Sequence, residues 1–177
     1  IDDDIAVMIS DILPTGHEIG VQYGNVKPGD AIAIIGAGPV GMSVLLTAQF
    51  YSPSIIVMID LDDNRLALAN ELGATHTINS GFGNIKEQLD AIVGPEGVDV
   101  AIEAVGIPAT WDICQKIVNP GGHIANVGVH GVKVDFDIHD LWIKNLTITT
   151  GLVNTNNTPM LIKAVATNKL PLNKMVT

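Results

Sequence analysis

Residues Ala31 to Asp60 constrain the fold of this chain more than any other stretch. An apolar segment runs into Gly36-Ala37-Gly38-Pro39-Val40-Gly41, then a helix-like run, then a second apolar segment that ends on an acid. Ile32-Ala33-Ile34-Ile35 and Ile55-Ile56-Val57-Met58-Ile59 are continuous and rich in β-branched residues, as strands covered on both faces are. Between them Val40 to Phe50 reads as a helix, and Pro39 suits its first turn, where a missing N–H costs nothing. The unit is a βαβ crossover.

The glycines define what such a turn can hold. Gly36 allows a tight turn, Gly38 lets a pyrophosphate approach the backbone, and Gly41 lets the helix pack close to the strand. The helix N-terminus offers unpaired N–H groups and a partial positive charge to that phosphate. Asp60 stands 19 residues past Gly41, where a carboxylate accepts hydrogen bonds from an adenosine ribose. Two other readings share these residues: a glycine turn with no ligand, and a pocket for S-adenosylmethionine, whose enzymes also use a glycine turn and an acid after the next strand.

Strand and helix continue to alternate along the chain. A short helix over residues 4–12, interrupted by Pro14-Thr15-Gly16, and a second helical stretch from Glu18 to about Tyr23 lead to the turn Lys27-Pro28-Gly29-Asp30. Beyond Asp60 the pattern predicts a helix ending at Gly73, a strand over 74–78, a helix stopping at Gly94-Pro95 and a strand over 98–103. A helix over 109–118 then stops before Asn119-Pro120-Gly121-Gly122, followed by a strand over 124–127, a last strand over 146–150 and a helix over 158–167. Six strands alternating with helices make an α/β, doubly wound parallel sheet of the Rossmann type, with strand order 3-2-1-4-5-6. Residues 1–177 then form one domain, with residues 1–30 as a helical lead-in. Ligands of such sheets lie outside the carboxyl ends of the strands, where Ala104-Val105-Gly106, Val127-Gly128-Val129 and Gly151-Leu152-Val153 join the glycine turn. Ends of this kind suit a dinucleotide crossing the whole sheet and disfavour the methyltransferase reading.

Composition narrows the partners. With 9 Lys plus Arg against 19 Asp plus Glu, a net charge of −10 and no basic cluster, nucleic acid and anionic membranes are disfavoured. No apolar run approaches the ~20 residues of a membrane helix. The single Cys114 leaves no internal disulfide and fits a reducing, cytoplasmic setting. It reads as a small core residue, Trp111 and Trp142 as packing anchors. The five histidines are scattered without metal spacing; His130, beside a candidate cofactor loop, has the best claim to a role. Leu146 to Thr150 alternates apolar residues with Thr and reads as an exposed sheet edge.

Taken together, the runs Ser10-Asp11-Ile12-Leu13-Pro14-Thr15-Gly16, the glycine turn, Asp60 to Leu66, Glu103-Ala104-Val105-Gly106 and Asn126 to Gly131 resemble the zinc-dependent medium-chain alcohol dehydrogenases. Within them, a bacterial formaldehyde-dehydrogenase-like branch is the most similar. The resemblance implies the NAD-binding domain of an enzyme that oxidises an alcohol to an aldehyde or ketone, with a separate GroES-like catalytic domain absent from this chain. It implies Asp11 as one ligand of a catalytic zinc in the full-length enzyme, and Thr15 behind the nicotinamide ring. Val127, Gly151 and Val153 match backbone positions around its carboxamide. Pro39 departs from members that donate an N–H to phosphate at that place, so the contact passes to Val40. The family also dimerises through this domain, which implies a homodimer or homotetramer.

Asp60, with Asp62 and Asp63 nearby, would repel a 2′-phosphate and favours NAD over NADP. Arg65 is the counterargument, although the resemblance implies a ribose contact for it. A stand-alone NAD-binding regulatory module and a zinc-free reductase of the same superfamily are the rival functions. The run 174–177 is expected to be where the chain crosses back to the catalytic domain.

Overall fold

A computed structural model describes residues 2–175. Two short helices open the chain, α1 (Asp3–Ser10) and α2 (Ile12–Thr15), and a seven-residue π-helix, Gly16–Gln22, follows without a break. The expected interruption at Pro14-Thr15-Gly16 is therefore corrected. Pro14 is the third residue of α2, in the first turn, where its missing N–H would have had no intrahelical partner. The break falls at Asp11, whose φ of −145° is not helical.

Beyond this lead-in come β1 (Ala31–Ile35), α3 (Pro39–Ala48), β2 (Ile55–Asp60), α4 (Asp63–Glu71), β3 (His76–Asn79), α5 (Ile85–Val93), β4 (Val98–Glu103) and α6 (Pro108–Ile117). The chain then runs through β5 (Val118–Asn126), α7 (Ile138–Leu141), β6 (Thr147–Thr150) and α8 (Thr158–Ala166). All six strands are parallel, in the order β3-β2-β1-β4-β5-β6, as expected from the alternation. The run 174–177 ends in two residues that lie outside the described ones.

One boundary differs by a whole turn. The strand expected over 124–127 begins at Val118 and carries Asn119-Pro120-Gly121-Gly122 inside it. Val98 pairs with Val118 and Val100 with His123, so this stretch is an insertion bulging from the ladder rather than a connection between elements. Asn119 Nδ2 anchors it by donating to Asp99 Oδ1 at 2.8 Å.

Alternation along the strands divides the core in two. Ile32, Ile34, Ile56 and Met58 face a layer containing Leu13, Val44, Leu45, Leu66 and Leu161. Ala33, Ile35, Val57 and Ile59 face the opposite layer, with Leu89, Trp111, Cys114 and Ile117. This two-sided burial explains why the central strands have no polar face. Trp142 corrects its expected packing role: it lies in the short turn after α7 and is 68% exposed. Among the described residues, no helix is long and apolar enough to cross a membrane.

Candidate dinucleotide crevice

The site begins with three glycines whose requirements are separate. Gly36 has a φ of +106°, a region that L side chains rarely adopt, and its N–H donates to Ile59 O at 2.8 Å. A Cβ at Gly41 would collide with the carbonyl oxygen of Gly36, so α3 packs against the end of β1 only because that atom is missing. At Gly38, the N-cap of α3, a Cβ would meet nothing within 4 Å. The space above the backbone there is open, a cradle that a side chain would fill. Pro39 and Val40 open the helix, as expected.

A crevice of about 440 Å³ lies at the carboxyl ends of β1, β2 and β4. It brings together Gly36, Gly38, Asp60, Arg65, Ala104 and Val105, all of them singled out in the sequence. Pro39 shares with Gly38 and Arg65 an adjoining hollow of about 210 Å³. Asp60 is tied into the turn: its Oδ2 accepts from Ala37 N at 2.6 Å and its Oδ1 from Asp62 N at 2.9 Å. Each oxygen keeps a second lone pair to accept a further donor. Asp62, the N-cap of α4, accepts from Asn64 N and Arg65 N, and these bonds hold its carboxyl below its ordinary value.

The remaining expected residues lie outside this crevice. Val127 N and Gly128 N donate to Glu103 O at 2.8 and 3.1 Å, which hangs the Val127–Val129 loop from the end of β4. Val129 is exposed, and a Cβ on Gly106 would strike its carbonyl. Gly151 and Val153 follow the end of β6, with the ring of Tyr23 within 3.0 Å of a Cβ built on Gly151. Thr15 and Asp11 stand one turn apart, and the Thr15 hydroxyl donates to Asp11 Oδ1 at 2.9 Å. Among the described residues, no group of three or more His, Cys, Asp or Glu side chains is placed to hold a metal ion. Asp11 is a single exposed carboxylate, so these residues do not make a zinc site by themselves.

Two carboxylates that the sequence reading did not assign to the site organise its far half. Glu103 is 0% exposed, and its Oε1 accepts from Val105 N at 3.0 Å, Gly106 N at 2.9 Å and the Thr110 hydroxyl at 2.6 Å. Glu18, buried on the π-helix, accepts from Asn154 N with Oε2 at 2.9 Å and from Asn157 N with Oε1 at 3.0 Å. Burial pushes the Glu18 carboxyl upward, but these hydrogen bonds outweigh it and hold the group below its ordinary range. The one available signal was the position of Glu103, an acid closing the apolar strand Val98–Ile102. Glu18 had none.

The family model described as zinc-binding dehydrogenase matches residues 39–167. The chain belongs to the zinc-binding dehydrogenase family. This dehydrogenase-family chain superposes on zinc-dependent alcohol dehydrogenase 2 of Streptococcus pneumonia, solved in its apo form, with a TM-score of 0.93 and 54% identity. The match covers 98% of this chain and 50% of that one. Alcohol dehydrogenase TADH from Thermus sp. ATN1 follows with a TM-score of 0.89 and 34% identity over 96% of this chain and 49% of that one. An alcohol dehydrogenase of Cupriavidus necator is 31% identical over 128 residues, which are 72% of this chain and 35% of that protein. The chain thus spans about half the length of the solved relatives, and less of the curated one.

Proposed function

We propose that this chain is the NAD-binding part of a zinc-dependent alcohol dehydrogenase that oxidises an alcohol to an aldehyde or ketone. The observation that carries the reading is the crevice itself. An open cradle over Gly38, the first turn of α3 and the Asp60 carboxylate meet at the switch point between β1 and β4. The names of the relatives, which are alcohol dehydrogenases, support the reaction class. Within the family, the formaldehyde-dehydrogenase-like branch is the reading that rests on the runs 10–16, the glycine turn, 60–66, 103–106 and 126–131 taken together.

A bound nicotinamide cofactor supplies the hydride acceptor. The residues of this chain hold and orient it. N–H groups at the start of α3 would hold the pyrophosphate, with Val40 serving in place of Pro39, and Asp60 would accept from the adenosine ribose. Ala104 and Val105 form the wall opposite Gly36; Val127–Val129, Gly151 and Val153 would hold the nicotinamide end of the cofactor, with Thr15 packing against its ring. Asp11 would offer one carboxylate to zinc, oriented by the Thr15 hydroxyl. β6, which pairs with β5 alone among the described residues, is the edge through which two copies of the protein associate in this reading.

The test is nucleotide binding by the intact protein. NAD is expected to bind at least ~10-fold more tightly than NADP, because a 2′-phosphate would face Asp60 and Asp62. Gly38→Ala, which fills the cradle without meeting protein atoms, is expected to weaken NAD about tenfold while leaving the melting temperature unchanged. A preference for NADP removes the role given to Asp60, and an unaffected Gly38→Ala variant removes the phosphate from the glycine turn.

A further inference from the structure

Glu103 is a buried carboxylate without a lysine or arginine at ion-pair distance among the described residues. A charge in such a place is costly unless donors or a counter-ion compensate it. One oxygen, Oε1, has three donors. The other, Oε2, has no hydrogen-bond partner and faces His130 Nε2 at 3.5 Å. The backbone makes room for this approach, since a Cβ on Gly128 would collide with Oε2.

His130 is equally incomplete. Its Nε2 lies 2.8 Å from Asn126 Oδ1, and its buried Nδ1 has no partner. With Nε2 donating to Asn126, a neutral ring leaves Nδ1 as an unused acceptor and Glu103 without a counter-ion. A second proton converts the ring to a cation beside Oε2. Among the described residues, the side chains that hydrogen-bond or stack against the pair carry no charge. Asn126 comes from β5, and Thr110 and Trp111 come from α6, the indole lying edge-on to the imidazole at 6.5 Å. Cys114, also on α6, is kept a neutral thiol, because burial, and then the Glu103 charge, push it well above its usual range.

The pair sits directly behind the crevice. Ala104, Val105, Ile107 and Thr110 all line it, and Glu103 Oε1 binds the Val105 N–H and the Thr110 hydroxyl. His130 ends the loop that Glu103 O suspends through Val127 and Gly128. We propose that Glu103 is a positioning residue for the dinucleotide crevice, and that a proton on His130 draws the Val127–Val129 loop toward the Val105 wall of the crevice, so that nucleotide affinity follows the charge of that imidazole. The inference rests on the dinucleotide reading given above. Glu103 touches no nucleotide; it acts through the Val105 and Val127 loops.

The experiment is an NADH fluorescence titration of the intact protein at intervals from pH 5.5 to 8.5, the range in which imidazoles change charge, alongside melting curves. The wild-type Kd is expected to rise about five- to tenfold from the acid to the alkaline end. Glu103→Gln keeps an oxygen for the Val105 and Gly106 N–H groups but has no charge to pair, and is expected to show a flat profile near the alkaline wild-type value. His130→Gln is expected to be flat as well, and decides the matter if Glu103→Gln does not fold. A flat wild-type profile overturns the inference. So does a wild-type slope retained in either variant, including one whose only change is a lower melting temperature. If the wild-type protein binds neither NADH nor NADPH at any pH, the dinucleotide reading itself falls, and the inference with it.

Discussion

The two halves of the crevice are built by different means. Around β1 and β2 the walls are shaped by what glycine lacks: Gly36 takes a left-handed φ, Gly41 admits α3, and Gly38 leaves open space. Toward β4, β5 and β6 the loops beside the crevice hang from two buried acids: Glu103 collects the main-chain N–H groups of the turn that follows it, and Glu18 those of a loop distant in sequence. The first kind of wall is steric. The second is electrostatic, depends on charge, and fails gradually as its acceptors are removed.

The largest expected effect breaks the steric half. Gly41→Val drives a branched side chain into the carbonyl of Gly36, a backbone atom that cannot rotate away. Overpacking of a core site costs ~1–3 kcal/mol when side chains can yield; here the cost should be about 3 kcal/mol or more. Chemical denaturation is expected to show that loss, or no soluble protein at all. A variant with wild-type stability would mean that α3 is not held against β1 by this contact.

The acid-held half should yield less, and in steps. Glu18→Ala orphans the N–H groups of Asn154 and Asn157, each worth ~1–3 kcal/mol when fully buried and unpaired; both are only part-buried, so a loss of about 2 kcal/mol in all is expected. Glu18→Gln retains one acceptor oxygen of two and should fall about midway. Hydrogen exchange localises the effect: faster exchange is expected at amides 154 and 157, with little change at 105 and 106, which belong to Glu103. Equal loss at both pairs would show that the two acids form one cooperative unit.

The same division explains how much was legible in the sequence. The steric duty of Gly41 is local, set by Gly36 five residues before it, and the turn, α3, Asp60 and the strand order could all be read from spacing. Buried acids give far less: Glu103 shows only as an acid closing an apolar strand, and Glu18 looks in the sequence like any solvated carboxylate. Their partners, Asn154 and Asn157 for one and His130 for the other, become neighbours only when the sheet is assembled. Turn-forming composition also misled at Asn119-Pro120-Gly121-Gly122, where a side chain on β4, Asp99, holds the loop inside a strand. Trp142 misled for the opposite reason, since a large apolar residue on an exposed turn reads as core until the fold is known.

The smallest expected effect concerns the π-helix that carries Glu18. His17, the preceding residue, is 1% exposed with neither ring nitrogen partnered, its ring about 6 Å from those of Phe50 and Tyr51. Burial lowers its pKa from the ordinary 6.5, and the neighbouring Glu18 charge only partly opposes this. The folded chain therefore resists a proton that the unfolded chain accepts. Stability from this group is complete above about pH 6.5 and declines as pH falls toward the lowered folded value. His123, lowered by burial and by Lys27, adds a decline of the same sign in the same window. Glu18 enters later: its folded pKa is depressed, so its contribution is present above its ordinary 4.5 and lost as pH falls further. Melting temperatures measured from pH 7.5 to 4 should thus fall in two stages, and His17→Phe, which preserves the ring packing, should flatten part of the first stage and leave the second. If His17→Phe melts with an unchanged pH profile, the unpartnered imidazole is not what makes this segment acid-sensitive, and the first stage belongs to His123.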